Sequence, residues 1–427
     1  MKKAIESEKV AELLMRPALQ ALEESNQQRN CAGYSDADHL WVGIERVIQN
    51  EKSGRRWLQR CSLSRSITVS VRNFFKTLES KRRMRMVADV SQRVRGETDA
   101  RGCGGLNDPL AIHPELAAFA VYASDGHSHA AASHEKPIGG KIRAINHIYT
   151  LNLCSHSLEH LALTLPAKGK KKEHELCALK RMGSEALRMR EKAGTKVIHA
   201  YDPAIVDYGQ WHRWKQGRGI YIITMEKSNS ALEKVGDRIF DADDLRNTGI
   251  ISDEMLCTSK NYRLRRIRYC DPETGKTYSY LTSEFTLPPG LLAFIYKLRW
   301  DAEKTFDQVK NIFGEKKAWA TSTESKIQQA GFIALAHNLI LMLEGEIEER
   351  EGIRDEKVEK RKAARIKKAA AAAALAGRVF NPLVASVRRV SKRSVQFIGW
   401  IQACFEHRTC WQLAIAQLRP LMEAYSY

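Results

Sequence analysis

The sequence predicts an α/β protein with a mixed sheet, carrying a helical region before the sheet and another after it. Three observations lead there. Phe119–Asp125 and Lys196–Asp202 are short apolar runs that read as buried strands, each closing on an acid. Between residues 116 and 225, strand-like runs alternate with helical spacing, the pattern of an α/β unit. Residues 1 to about 110 show apolar spacings of 3 and 4 without strand patterning.

The elements follow in order. Ser35 and Asp36 are candidate caps for a helix through Trp41, Ile44 and Val47. From Arg55 to Arg85 there are ten lysines and arginines against one acid, Glu79, with Trp57, Ile67, Val71, Phe74 and Phe75 interleaved. A helical unit with one basic face, including Arg55, Arg56, Arg65 and Arg72, is a candidate for recognising duplex DNA; a solvated charged surface is the plainer alternative. Gly102–Pro109 reads as a linker. After the Phe119 run, His147–Leu153 and Leu158–Leu165 read as two further strands. A basic loop, Lys168–Lys172, leads to a helix of about 20 residues ending near Lys192. Next come the Lys196 strand, a helix around Tyr208–Trp214 and the strand Gly219–Met225. Residues 228–287 form a strand-rich insertion, in which Tyr262–Tyr269 alternates and Asp271–Gly275 is a hairpin-turn candidate. Pro288-Pro289-Gly290 opens a long helix, and Thr321-x-x-Glu324 suggests a capping box for the next. These boundaries divide the chain into residues 1–110, 111–345 and 346–427. Lys357–Arg393 carries twelve basic residues and one acid with an alanine run at 369–374, and is either a DNA-binding arm or a solubilising linker to the apolar end, Phe397–Met422.

Composition narrows the partners. A chain of 427 residues with a formal charge of +19 is suited to a polyanion, because each neutralised phosphate releases counterions. No membrane partner is expected: the most apolar run, Phe332–Leu343, is interrupted by His337 and Asn338 and is too short to span. The N-terminus lacks an apolar signal core, and nine cysteines without a C-x-x-C pair read as reduced thiols, so a cytoplasmic protein is expected.

The chemistry is concentrated in one stripe. At 100° per residue, Tyr296, Arg299, Glu303 and Lys310 fall on one face of the long helix. A hydroxyl, a guanidinium, a carboxylate and an ammonium in line suit a metal-bound, phosphate-rich substrate, although an exposed charged helix face would show the same spacing. Were the Asp125 and Asp202 strands neighbours, both aspartates would meet at their C-terminal ends, and the later helix would add Glu303. Three carboxylates in one cleft repel unless a cation neutralises them, and oxygen-only ligands select Mg2+ or Mn2+. Two such ions serve in-line phosphoryl displacement.

With these residues in place, the chain resembles a bacterial insertion-sequence transposase of the DDE class, in the family marked by a Tyr-x2-Arg-x3-Glu-x6-Lys (YREK) signature. Tyr296, Arg299, Glu303 and Lys310 match that spacing at every position, and Tyr280-Leu-Thr-Ser-Glu-Phe-Thr-Leu-Pro-Pro before them is also similar. The likeness spans roughly residues 115 to 345. It implies a ribonuclease-H-like core with a β-rich insertion, in a nucleoid-associated bacterial protein. It also implies cutting of double-stranded DNA at the ends of an element and joining of those ends to target DNA. Asp125, Asp202 and Glu303 would then hold two metal ions, while Tyr296, Arg299 and Lys310 would contact phosphates. The N-terminal basic unit, with Arg55, Arg56, Arg65 and Arg72, would recognise the terminal inverted repeats, and the C-terminal region would pair two subunits into a homodimer.

Two positions depart from the family pattern. The relatives stack a tryptophan of the insertion on a flipped base, yet no tryptophan lies between Trp214 and Trp300; Tyr262, Tyr269, Tyr278 and Phe285 are the substitutes. Pro203 follows the second aspartate where relatives carry a polar residue, which leaves Asp207 as an alternative ligand. His127 and His129 after Asp125 are weak grounds for a zinc site. Two other functions share these features: a nuclease of the same fold that does not transpose, and an inactive regulator that binds inverted repeats.

Overall fold

The computed structural model describes residues 9–29, 33–65, 67, 69–101, 110, 113–137, 140, 142, 144–165, 173–272, 274–311, 313, 316–351, 364, 367–368, 370–375, 377, 397–407, 409–410 and 412–417. The Gly102–Pro109 linker, the Lys168–Lys172 loop and most of the basic tail lie outside them. Among the described residues five helices come first: α1 (Val10–Glu23), α2 (Asp36–Ile48), α3 (Gly54–Arg65), α4 (Val71–Leu78) and α5 (Lys81–Arg101). Ser35 caps α2 reciprocally, its hydroxyl accepting from Asp38 N at 3.0 Å while the Asp38 carboxylate accepts from Ser35 N at 2.9 Å. Asp36, read as a possible cap, instead turns inward and binds Arg82 at 2.7 Å and Arg83 at 3.1 Å. It therefore ties the start of α2 to that of α5.

The sheet follows: β1 (Phe119–His129), β2 (Ile145–Asn152), β3 (Leu158–Leu163), α6 (Glu175–Leu187), β4 (Lys196–Tyr201), α7 (Tyr208–Arg218) and β5 (Ile220–Met225). The insertion supplies β6 (Glu233–Asp237), β7 (Ile250–Cys257), β8 (Arg263–Cys270) and β9 (Thr277–Thr282). The nine strands among the described residues form one sheet in the order β3-β2-β1-β4-β5-β9-β8-β7-β6. The pairs β1/β4 and β4/β5 are parallel and the remainder antiparallel, so the sheet is mixed as the sequence predicts. The insertion thus extends the central sheet. A buried bidentate pair fastens it: Arg265 binds Asp253 at 2.7 and 2.8 Å and donates to Leu287 O, immediately before the long helix.

Two predicted boundaries shift. The helix expected to run to Lys192 ends at Leu187 and is broken at Gly183, whose φ of +80° is a left-handed conformation. The strand expected to end at Asp125 continues to His129, because β2 keeps pairing with it through His129↔Ile145 after the parallel ladder with β4 has stopped at Ser124↔Tyr201.

The long helix α8 spans Pro289–Asn311 and lies across β1, β4 and β5. Its start is close-packed: a Cβ on Gly290 would stand 1.8 Å from Arg246 O. The final long helix, α9 (Thr323–Arg350), is capped by Ser322, which accepts from Ser325 N at 3.1 Å, and not by Thr321. By length and composition α9 could cross a membrane, but 78% of its apolar window is buried within the fold. The polar residues that interrupt its apolar run explain the placement. Asn338 exchanges two hydrogen bonds with the backbone of Leu158 at 2.8 and 2.9 Å, and His337 donates to His156 O at 2.8 Å. They satisfy backbone groups at the β2–β3 turn that burial would otherwise strand. Helix α9 also packs on α1, α2 and α5, and one continuous apolar core joins these helices to one face of the sheet and to α8. The buried residues of 397–407 join this core, and Gln402 Nε2 donates to Ile48 O at 2.7 Å. The opposite face is covered by α6 and α7 around Tyr122, Trp211 and Trp214.

Candidate active site

The end of the β1/β4 ladder sets the site. Ser124 pairs with Tyr201, so Asp125 and Asp202 each follow the last parallel pair on adjacent strands, which run about 4.8 Å apart. Side chains alternate along a strand, so Asp125 shares the face to which Ala123 contributes apolar contacts under α8, while Asp202 stands just past the end of β4, two residues after Ala200. Asp202 folds into a turn, its Oδ1 accepting from Ala204 N at 2.7 Å. Asp207, the alternative ligand, caps α7 through Gln210 N at 2.8 Å and pairs with Lys180, so its carboxylate already serves structural bonds.

Helix α8 brings the stripe to the same face. Arg299 Nη1 lies 2.8 Å from Glu303 Oε1, and the guanidinium stands 5.3 Å from the Tyr296 ring centre. Tyr296 is only 2% exposed and Arg299 5%, so this part of the stripe faces inward and is not a solvated helix face. Glu303, at 32% side-chain exposure, occupies the mouth. Lys310 lies on the same helix, but its side chain is outside the described residues.

Electrostatics connect the groups. Burial pushes the Asp125 carboxyl up to about 6; the Gly126 backbone N–H, at 2.8 Å from Oδ1, and Arg299 draw it down, while Glu175 and Glu303 push it further up. Burial draws the Arg299 guanidinium down, but Tyr296, Glu303 and Asp125 outweigh it and the group is raised. Burial raises the Tyr296 hydroxyl, Arg299 opposes it, and the charge of Asp202 adds to the rise. Asp125, Glu303, Arg299, Tyr296 and Asp202 therefore share one electrostatic neighbourhood. Among the described residues, however, no group of three or more His, Cys, Asp or Glu side chains is gathered closely enough to hold a metal ion. The donor chemistry does fit a hard divalent cation: the candidate ligands are all carboxylate oxygens, and a half-buried acid raised by burial and then by its acidic neighbours is stabilised by positive charge. The Arg299 guanidinium supplies that charge in this arrangement.

The histidines after Asp125 form a separate cluster. His127 and His129 are buried, the His129 ring stacks on His147 at 5.1 Å, and His147 Nδ1 and His160 Nε2 hydrogen-bond at 2.9 Å. Burial lowers His129 and His160 to about 4 and His147 well below its ordinary value, which describes neutral packed imidazoles.

Of the aromatic substitutes, Tyr278 is half-buried and lies parallel to Tyr280 at 6.1 Å; Tyr280 in turn meets Tyr296 at 4.9 Å. Tyr269 is buried, Tyr262 packs on His212 at 4.9 Å, and Phe285 lies between Lys215 and Arg238. In the N-terminal helices Arg55, Arg56 and Arg72 are exposed on α3 and α4, while Arg65 lies on α3 with its side chain outside the described residues. Trp57 is turned inward, Nε1 donating to Val42 O at 3.0 Å. Sequence reasoning missed Glu175, which begins α6 beside Asp125; no motif in the chain marks it.

Residues 205–339 match a family described as the transposase DDE domain. The match supports a DDE transposase. It spans β5, the insertion, the whole of α8 and most of α9, and so contains Tyr296, Arg299, Glu303 and Lys310; Asp125 and Asp202 precede it. The mixed α/β architecture agrees with the ribonuclease-H-like core of a DDE transposase. No curated protein matches the chain.

Proposed function

We propose that this DDE transposase cuts DNA at the ends of an insertion sequence and joins them to target DNA by metal-dependent phosphoryl transfer. The observation that supports the reading is the parallel register that ends at Ser124↔Tyr201, one residue before Asp125 and Asp202, under a helix whose Glu303 acts electrostatically on Asp125. Asp125, Asp202 and Glu303 would hold Mg2+ or Mn2+. When bound, two such ions lower the barrier by activating the attacking oxygen and stabilising the departing one. Arg299 keeps Glu303 in place through its ion pair and would meet a phosphate oxygen of bound DNA. Tyr296, whose hydroxyl feels the charge of Asp202, would line the site, and Lys310, about two turns past Glu303, would reach the flanking phosphate. The exposed Arg55, Arg56 and Arg72, together with Arg65, would hold the inverted repeat, making residues 1–110 the end-binding region and residues 111–345 the catalytic core. The C-terminal region, residues 346–427, would pair two subunits across two ends. Tyr278, at the outer end of the tyrosine stack that begins at Tyr296, is the aromatic best suited to receive a displaced base. The YREK spacing supports a bacterial insertion-sequence origin, with the protein acting on DNA in the cytoplasm.

The test uses pre-cleaved element ends with target DNA and Mg2+. Glu303→Gln should lower strand joining at least about 1,000-fold, equivalent to about 4 kcal/mol of barrier, and leave end binding intact. Joining at the wild-type rate by that variant removes Glu303 from the chemistry. Cleavage by the wild-type protein without any joining would mark a nuclease instead.

A further inference from the structure

A polar row crosses the sheet one residue before the two aspartates. Ser124 on β1 is the register partner of Tyr201 on β4 and of Thr150 on β2, and Thr150 is in turn the partner of Glu159 on β3. Side chains alternate along a strand, so Ser124 faces away from Asp125, toward the apolar cluster under α6 and α7 that contains Tyr122, Ile148 and Tyr201. Hydroxyls in such a layer are costly unless they are bonded. Ser124 and Thr150, each 1% exposed, meet that need with each other, their oxygens 2.8 Å apart. At one end of the row Tyr201 stacks on His199 at 5.3 Å. Burial raises its hydroxyl and Ser124 draws it down, although that hydroxyl closes no hydrogen bond among the described residues. At the other end Glu159 binds Arg190 at 3.0 Å and Arg95 of α5, whose Nη2 donates to the Tyr122 hydroxyl at 3.0 Å. The row lies where both strands hand over to the aspartates: Asp125 follows Ser124, and Asp202 follows Tyr201 past the end of β4.

We propose that Ser124 is a positioning residue of the candidate active site: its bond to Thr150 and its place beside Tyr201 fix β1 between its neighbours where the parallel ladder stops, and so hold Asp125 and Asp202 in their relative positions. This rests on the reading above, in which those two carboxylates serve the chemistry. Ser124 acts through the backbone, because a shift at Ser124 moves the next residue, and a misplacement of about 1 Å at a reacting centre can cost about 100-fold in rate.

The experiment measures joining of pre-cleaved element ends in Mg2+, together with thermal unfolding, for the full chain carrying Ser124→Ala, Thr150→Val or both. Each variant should lower kcat about tenfold or more and leave KM for the ends within about twofold of wild type. Thermal unfolding separates positioning from stability. Each single variant leaves one buried hydroxyl without its partner and should melt lower, whereas the double variant leaves none and should regain wild-type melting without regaining kcat. Thr150→Ser keeps the hydroxyl and should retain kcat. In the metal-free protein the Gly126 amide, which donates to Asp125 Oδ1 at 2.8 Å, should exchange with deuterium about tenfold faster in the double variant than in wild type. Recovery of kcat along with melting in the double variant, a loss confined to KM, or wild-type exchange at Gly126 overturns the role of Ser124 and leaves the metal-dependent reading standing. Joining at the wild-type rate by Asp125→Asn and by Asp202→Asn overturns both.

Discussion

Replacing Asp125 with asparagine should make the metal-free protein more stable at neutral pH while destroying its chemistry. The carboxyl is pushed to about 6 against an ordinary 3.8, first by burial and then by Glu175 and Glu303. At pH 8 the native state must therefore hold a charge that the unfolded chain holds more easily. The difference of about two pH units corresponds to about 3 kcal/mol, an upper figure because solvent reaches part of the site. Asparagine keeps an oxygen for the Gly126 N–H and removes the charge. The sign follows from the raised native value. Below about pH 4 aspartate is neutral in both states, and the charge gives the variant no advantage. Between pH 4 and 6 the unfolded aspartate ionises while the native one stays protonated, so wild-type stability falls relative to the variant as pH rises. Above pH 6 the gap is constant. At about 2–4 °C per kcal/mol for a domain of this size, the variant should melt up to about 10 °C higher at pH 8. The assay is thermal unfolding of both proteins in EDTA at intervals from pH 4 to 8, repeated with Mg2+, which should stabilise only the wild type. A gap that does not widen between pH 4 and 6, or a variant that melts lower at pH 8 than the wild type, refutes the reasoning.

Two further outcomes follow from other parts of the molecule. Neutralising Arg55, Arg56 and Arg72 together should weaken DNA-end binding and flatten its salt dependence. The slope of log K against log salt should fall by up to about three, roughly 0.9 per lost phosphate contact, as measured by fluorescence anisotropy at several salt concentrations; an unchanged slope places the contact surface elsewhere. Arg265→Ala would leave Asp253, 2% exposed, without its bidentate partner and should cost about 3–5 kcal/mol in chemical denaturation, softened by Arg238 at 3.5 Å from the same carboxylate. A loss below 1 kcal/mol would mean that the insertion is held by its apolar face alone.

How much of this was legible depended on whether a signal was local. The runs at Phe119, Lys196 and Ile220 announced buried strands, since apolar strands covered on both faces are written as continuous runs. The alternation of Tyr262–Tyr269 announced β8, and Pro289 at the first turn announced α8. The extension of β1 past Asp125 was not legible, because it depends on the length of its antiparallel partner β2 and not on its own residues. The early end of α6 turns on the left-handed φ of Gly183, which a helical pattern can accommodate without comment. The capping of α9 by Ser322 instead of Thr321 is a one-residue choice between equivalent hydroxyls.

The stripe on α8 shows where periodicity stops and tertiary structure takes over. Spacing alone put Tyr296, Arg299 and Glu303 on one face, and that face is equally good for solvent or for a cleft. Burial decides between them: a tyrosine at 2% and an arginine at 5% exposure pack over the ends of two strands, and only the carboxylate farther along the helix reaches the mouth. An arginine in that position holds two acids apart in charge while keeping them together in space, through its ion pair with Glu303 and its field at Asp125. On the metal-dependent reading, the same guanidinium stabilises the unliganded cluster and would yield to a divalent cation. Neutralising it should therefore loosen the metal-free site while removing the competitor for Glu303, so stability and cation affinity would respond to Arg299 in opposite directions. No spacing rule could have supplied that coupling, because it joins residues from β1 and α8 that meet only in the folded chain.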